Sequence, residues 1–525
     1  MSVGQTPPTD GLGTVAAKEL DRWIAGTLEP STAFCRQVKQ TVRKICDFLK
    51  EDCFEGNICV LKTVKGGSAG KGTALKNNSD ADVVLFLSCF SSYQDQKQER
   101  SDIQDLIKRR LHACRQSLTF TVTISEPQCK GQRSVSLTLS SKQTSESIRV
   151  DILPAYDALG QVSWDTPPDV QVFEGMYVGL LNAKGGPGEF SPCFTKLQKK
   201  FVKRYPTKLK NLLLMVKNWY KENVKPRHPA RVLPPQYALE LLTIYAWEEG
   251  TGSRTSFNMA KGFRTVLELL CRHEEICIYW ETYYSLQHNQ IGAHVKDLLH
   301  KSHHPIILDP ADPTGILGQG KKWDLVAVEA ANARSLLCVK TVRPWKVQPA
   351  RPVTIEVKPL EGKSLIRTVS PDTTVWQLKE EIEREWSIPW YRQRLQQQRP
   401  GWGSIVLQHG QTLATHGIFY STTLMLLQTL PQEMEVFVKN DKNRTTTYTV
   451  LPTITVWQLK EQIHTQQGPP ADQQYLTCGS TKLKDQHTLA HYNIQPRSTI
   501  FMVPWREGGA GPQESQSQSP GCSVY

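Results

Sequence analysis

Lys65-Gly66-Gly67-Ser68-Ala69-Gly70-Lys71-Gly72-Thr73, followed by Ser79-Asp80-Ala81-Asp82-Val83-Val84-Leu85-Phe86-Leu87, is the stretch that decides the fold. Its first half invites a P-loop reading and fails the pattern. From Gly66 only three residues precede Gly70-Lys71, where four are needed, and Gly72 follows where Ser or Thr is required. The second half reads as a strand, in which residues spaced i,i+2 share a face, so Asp80 and Asp82 present their carboxylates together. Two metal ions held roughly 4 Å apart need such a bridging pair. A Gly-Ser turn beside it approaches a triphosphate without a Cβ in the way. In Ser147-Ile148-Arg149-Val150-Asp151-Ile152-Leu153, residues 148, 150 and 152 form an apolar face and Asp151 points to the other, ahead of Pro154. Asp151 is therefore the expected third ligand and a candidate acceptor for the proton of an attacking hydroxyl. An Asp-x-Asp alone is more often a solvated turn. Order, spacing and the Asp151 strand together point to a nucleotidyltransferase.

The rest of the chain frames that centre. Its 525 residues exceed one hydrophobic core, so two or more domains are expected. Hydrophobic content of 39% and charged content of 22% are those of globular protein. A net charge of +13, from 63 Lys+Arg against 50 Asp+Glu, favours a polyanionic partner. No apolar run reaches the roughly 18 residues that span a bilayer, and the polar N-terminus has no signal-peptide core, so no membrane association is expected. Thirteen cysteines scattered without CxxC pairs fit a reduced, cytoplasmic location better than a disulfide framework or a zinc site.

Near the C-terminus the sequence repeats itself. Val375-Trp376-Gln377-Leu378-Lys379-Glu380 recurs as Val456-Trp457-Gln458-Leu459-Lys460-Glu461, and Thr412-Leu413-Ala414 as Thr488-Leu489-Ala490. The first unit carries extra residues, assigned to the loop Arg399–Gly403. Each unit reads as a strand hairpin, a helix from the WQLK segment, then short strands. The segment from Met434 to Gly509 (MEVFVK, GPPADQQ, TLAHYNI) is similar to ubiquitin, and the segment 353–430 resembles it more weakly. The resemblance implies two tandem β-grasp domains serving as a docking module for an innate-signalling protein. Thr477 stands where ubiquitin has the isoleucine of its recognition patch, while Val503 keeps another patch position. Gly508-Gly509 aligns with the terminal diglycine, but the tail runs on, so conjugation is not expected. Thr341–Pro352 reads as a linker, and residues 510–525 lack the apolar content to fold.

The N-terminal part, about Leu20 to Lys346, carries KGGSAGKGT, SDADVVLFLS, VDILPAYDALG, YPTKLKNLL, LPPQYALELLTIYAWE, CIYWETYY and PIILDPADPTG. With these motifs it closely resembles the 2′-5′-oligoadenylate synthases. The expected fold is α+β. A bilobal, polymerase-β-like nucleotidyltransferase domain with a helical C-terminal lobe (20–346) follows a flexible N-terminus (1–19), and two β-grasp ubiquitin-like domains (353–430 and 434–509) come after it. The resemblance implies duplex-RNA-activated attack of a 2′-hydroxyl on the α-phosphate of ATP, with Mg²⁺ held by Asp80, Asp82 and Asp151. It assigns ATP contacts to Ser68, Lys217, Gln236 and Tyr237, and double-stranded RNA contacts to Lys50, Lys65, Lys71, Lys199, Lys203, Thr207 and Lys208.

The residues agree in part with these assignments. Leu209, Leu212, Leu213 and Val216 have helical spacing with Lys217 just beyond their face, and an ammonium suits a triphosphate. Lysines without stacked aromatics suit duplex RNA, read through phosphates and 2′-hydroxyls. Two positions depart from the family. Leu214 replaces an arginine one turn before Lys217, and Cys338-Val339-Lys340 lacks the central aromatic of an oligomerisation motif, so a monomer is expected. One other reading stays open, a catalytically silent, RNA-binding signalling scaffold; a 3′-end nucleotidyltransferase of the same fold shares the Asp pair but would not explain LPPQYALELLTIYAWE and LDPADPT.

Overall fold

The computed structural model describes residues 11–76, 79–113, 120–125, 133–141, 147–160, 169–399 and 403–504; for some of these, Ser79 and Asp80 among them, the backbone alone is described. The tail 510–525 and Gly508-Gly509 lie outside the described residues, as do the first ten residues and the middle of the Arg399–Gly403 loop. The chain divides into two compact units, Met1–Pro352 and Val353–Tyr525.

In the first unit, α1 (Leu20–Trp23) and α2 (Thr32–Glu51) precede β1 (Val60–Lys65), α3 (Gly67–Lys71), β2 (Ser79–Leu87), α4 (Tyr93–Ala113), β3 (Phe120–Ile124), β4 (Val135–Ser141) and β5 (Ser147–Ala155). The strands form one sheet ordered β1-β2-β5-β4-β3. β2 runs antiparallel to β1 and parallel to β5. A strand flanked on both edges and covered on both faces has no polar positions to spare, and Val83 to Leu87 are all fully buried. On α2, Val38, Val42, Ile45, Cys46 and Leu49 recur at helical spacing and join the same core as Val83, Leu85 and Ile107. Residues 12–14 and 17–19, within the stretch expected to be flexible, form 3₁₀ turns, and Leu12 and Val15 are buried.

The second lobe of this unit is largely helical: α5 (Glu174–Asn182), α6 (Thr195–Lys203), α7 (Thr207–Trp219), α8 (Gln236–Thr251), α9 (Met259–Cys271), α10 (Asn289–Lys301) and α11 (Trp323–Ala333). A small sheet, β6 (Cys277–Ile278), β7 (Ile306–Asp309) and β8 (Asp312–Ile316), packs among them in sequence order. Pro206 and Pro235, in extended conformation, start α7 and α8, and Gly252 ends α8 at φ 61°, a left-handed position that suits glycine. α8 is buried from Ala238 to Trp247, and Glu240 is the one charged residue in that run.

The second unit repeats one design. β9 (Val353–Pro359), β10 (Leu365–Val369), α12 (Val375–Trp386), β11 (Gln393–Arg399), β12 (Gly403–Val406) and β13 (Thr422–Gln428) form a sheet ordered β10-β9-β13-β11-β12. β14 (Met434–Lys439), β15 (Thr445–Val450), α13 (Val456–Thr465), β16 (Gln474–Cys478), β17 (Thr481–Lys482) and β18 (Thr499–Pro504) repeat that order as β15-β14-β18-β16-β17. The WQLK repeat explains itself through caps. Thr374 with Gln377, and Thr455 with Gln458, each form a reciprocal capping box. Gln393 and Gln474 then tie the helices down through the carbonyls of Lys379 and Lys460, each at 2.9 Å. The extra residues of the first repeat lengthen the β11–β12 hairpin relative to β16–β17. Among the described residues nine cysteines are free thiols.

One substitution between the repeats matters physically. In the second, the buried Lys460 pairs with Asp485 at 2.7 Å, and the Asp485 carbonyl accepts from the Trp457 amide. In the first, the Trp376 amide donates to the carbonyl of His409, so a histidine occupies the aspartate's place beside the buried Lys379. The imidazole packs against Trp376 and Trp390, ring centroids 4.8 and 5.0 Å away. Burial and then Lys379 push its pKa from 6.5 down to about 3, and burial pushes Lys379 down to about 8. The unfolded chain takes up the His409 proton near pH 6.5 and the folded chain only near 3. Stability present above pH 6.5 is therefore lost as pH falls towards 3, by up to about 1.4 kcal/mol per pH unit. Acid titration of the full chain, followed by hydrogen exchange, will open the first β-grasp at higher pH than the second. His409→Asp, which restores the pair, will lower that pH.

Candidate active site and basic surface

The sheet positions the carboxylates. In the parallel β2/β5 pair Asp82 stands opposite Asp151, and Asp80 opposite Arg149. Asp82 and Asp151 are both partly exposed, although the residues that follow them in β2 and β5 are buried. The side chain of Asp80 lies outside the described residues, and no group of three metal-binding side chains occurs among the described ones. Asp151 accepts a hydrogen bond from the Ser136 hydroxyl of β4, its register partner, and lies 3.7 Å from the Arg149 guanidinium. Ser136 was not marked by the sequence, since the β4 register is visible only once the sheet has formed, whereas Arg149 shares the Asp151 face at i,i+2 spacing. Carboxylate oxygens are the donors that Mg²⁺ prefers, so Asp82 and Asp151 fit that ion.

The glycine-rich turn is shaped by its neighbours. The Gly66 amide donates to the Asp82 carbonyl at 2.7 Å, and a Cβ on Gly66 would meet the Thr195 methyl of α6 at 2.5 Å. Gly67 has φ +63°, which opens α3 at a cost only glycine avoids. Ser68, partly exposed, receives the Gly72 and Thr73 amides on its carbonyl at 3.1 and 3.0 Å.

Behind the turn lies a cluster centred on Glu240, which the sequence reading missed. Glu240 accepts from Lys217 at 3.0 Å, from the Thr73 hydroxyl at 3.1 Å and from Lys71 at 3.2 Å. Lys217 also donates to the Thr73 carbonyl at 2.8 Å. Burial pushes the Glu240 carboxyl up, but Lys71 and Lys217 outweigh it and hold the group down at about 2. Lys217 is thus buried rather than at the edge of its helix, and Lys71 points its ammonium inward, 3.6 Å from the Tyr237 ring centroid. The available signal was a lone glutamate in the apolar run Ala238–Trp247, which demands a cation. Leu214, one turn before Lys217, is buried. Gln236 and Tyr237 open α8, both partly exposed. The Tyr237 hydroxyl lies 3.5 Å from Asp309, a second buried carboxylate the sequence reading did not select.

The lysines assigned to RNA divide into groups. Burial, then Lys203 and Lys65, lower the Lys199 pKa, so these three share one positive field. Lys203 and Thr207 are exposed, as is Lys50 near the end of α2. Lys208 is 3.5 Å from Asp21, and Lys71 belongs to the interior cluster. In the second β-grasp, Phe501 and Val503 are exposed and Thr477 partly so. Cys338 and Val339 are fully buried in the first unit.

Comparison with known proteins fits this geometry. Residues 42–121 match the nucleotidyltransferase domain, 168–350 the C-terminal domain 2 of 2′-5′-oligoadenylate synthetase 1, and 436–504 the ubiquitin family. Mouse 2′-5′-oligoadenylate synthase-like protein 2 is 40% identical over 94% of this chain and 99% of its own length. Rat 2′-5′-oligoadenylate synthase-like protein 1 is 38% identical over 94% of this chain and 97% of its own. Mouse 2′-5′-oligoadenylate synthase 3 is 46% identical over 64% of this chain and 29% of its own. With a nucleotidyltransferase sheet, a synthase C-terminal lobe and ubiquitin-type folds in one polypeptide, the chain belongs to the family of 2′-5′-oligoadenylate synthase-like proteins.

Proposed function

We propose that this chain, activated by double-stranded RNA, joins ATP through 2′-5′ linkages and releases pyrophosphate, as a cytoplasmic enzyme of antiviral innate immunity. The observation that carries the reading is Asp82 paired in register with Asp151 beside the Gly66–Ser68 turn. Asp82 and Asp151, with Asp80, would hold Mg²⁺, which when bound neutralises phosphate charge and makes the α-phosphorus more electrophilic. The acceptor's 2′-oxygen bonds to that phosphorus as its bond to the pyrophosphate oxygen breaks. The hydroxyl proton passes to Asp151, which Ser136 steadies. Ser68 meets the donor triphosphate. Lys71 and Lys217 against the single charge of Glu240 leave one surplus positive charge behind the turn. Gln236 and Tyr237 hold the adenine nucleotides. Lys199, Lys203 and Lys65 contact RNA phosphates with Lys50, Thr207 and Lys208. The ubiquitin-like domains dock an innate-signalling protein, and the chain acts as a monomer.

A second reading, RNA binding without product, draws on Leu214, which puts an apolar side chain where the family carries an arginine. Loss of one charge-assisted contact costs about 1.5–3 kcal/mol, enough to slow the reaction rather than abolish it.

Purified chain with ATP, Mg²⁺ and duplex RNA will yield oligomers that resist a 3′-5′-specific nuclease. Asp82→Ala will reduce their formation by at least about 100-fold. Absence of product from the wild type decides for the second reading. Lys199→Glu together with Lys203→Glu will abolish RNA stimulation and flatten the salt dependence of RNA binding without lowering the melting temperature. Lys208→Glu will do less, because Asp21 already offsets that charge.

A further inference from the structure

We propose that Asp309 is a positioning residue for nucleotide binding: its buried carboxylate takes the Tyr237 hydroxyl and the Gln198 amide together, and so fixes the phenol ring that rests against Lys71. The inference rests on the reading that Tyr237 holds an adenine nucleotide.

Asp309 ends β7 and is 1% exposed. One carboxylate oxygen accepts the Ala311 amide at 2.9 Å and faces the Tyr237 hydroxyl at 3.5 Å. The other accepts the Gln198 amide at 2.7 Å, and that nitrogen also reaches the Ser191 hydroxyl at 2.8 Å. Three donors from β7–β8, α8 and α6 thus converge on one side chain. A carboxylate only accepts, so it serves all three. An asparagine must turn an NH₂ towards one of them. No lysine or arginine forms a salt bridge with Asp309 among the described residues, so ion pairing does not explain the burial of this acid.

The groups facing it come from every packed element. Asp312, fully buried, is held through one oxygen by the Thr314 amide and hydroxyl, and its other oxygen has no hydrogen-bond partner. Tyr284 donates to the Asp309 carbonyl, and Tyr177 of α5 to the Ala311 carbonyl, each at 2.9 Å. Lys71 lies beyond the Tyr237 ring, Glu240 and Tyr283 act on Tyr237, and Arg133 acts on Asp312. Burial, then Asp312, raise the Asp309 pKa to about 7, against the Ala311 and Gln198 hydrogen bonds and Lys71. Above pH 7 the carboxylate accepts from all its donors. As pH falls below 7 a proton occupies one oxygen, and the grip on Tyr237 or Gln198 is lost.

The test is equilibrium binding of a non-reacting α,β-methylene ATP analogue with Mg²⁺ to the full chain, from pH 5.5 to 8.5. At pH 8, Asp309→Asn will bind about five- to tenfold more weakly, the loss of one or two hydrogen bonds. It will also lack the fall in affinity that the wild type shows below pH 7. Comparing variants on one ligand cancels the ligand's own titration. Tyr237→Phe, which removes only the hydroxyl, will weaken binding similarly and will not add to Asp309→Asn. It carries the test alone if Asp309→Asn does not fold, by showing a flattened pH profile. Identical pH profiles in wild type and variants, or additive losses, overturn the assignment and leave ATP binding standing. No nucleotide binding by the wild type overturns both.

Discussion

A buried glutamate held by two ammonium groups is the interaction on which the synthase-like unit turns. Glu240 is surrounded by apolar side chains of its own helix, where a carboxylate costs several kcal/mol unless it is paired. The pairing comes from two directions: Lys217 from α7 within the helical lobe, and Lys71 with Thr73 from the end of the glycine-rich turn. The turn that abuts Asp82 is therefore anchored to the core of the other lobe by charge. Removing Glu240 would strand two ammonium groups in the interior, which costs about 3–5 kcal/mol.

Much of the architecture was legible because local rules and tertiary outcome coincide. Asp80-Ala81-Asp82 followed by five apolar residues is a central strand, fully buried from Val83 to Leu87. The WQLK repeats start helices because Thr374 and Thr455 cap them. What escaped the sequence were pairings between distant segments. Lys71 sits in a basic, glycine-rich loop and reads as a surface cation; only Glu240, 169 positions away in sequence, turns it inward. Ser136 and Asp309 are ordinary residues until β4 meets β5 and α8 meets β7. In the ubiquitin-type repeats the WQLK helix is legible, but His409 in place of Asp485 is invisible without knowing which loop faces the buried lysine.

The chain's positive charge is thus divided by function of place. Lys71 and Lys217 share the Glu240 carboxylate within the fold, whereas Lys199, Lys203 and Lys65 repel one another where solvent reaches them. Among the described residues no carboxylate forms a salt bridge with these three, and such repulsion is a cost that an external polyanion relieves. α6 carries part of that field on Lys199 and Lys203, and its Gln198 bonds Asp309 while Thr195 closes over Gly66. One helix therefore borders the basic surface and the glycine-rich turn, and reaches Tyr237 through Asp309. On the proposed reading, a phosphate backbone bound along it would act on the same helix that closes over the glycine-rich turn.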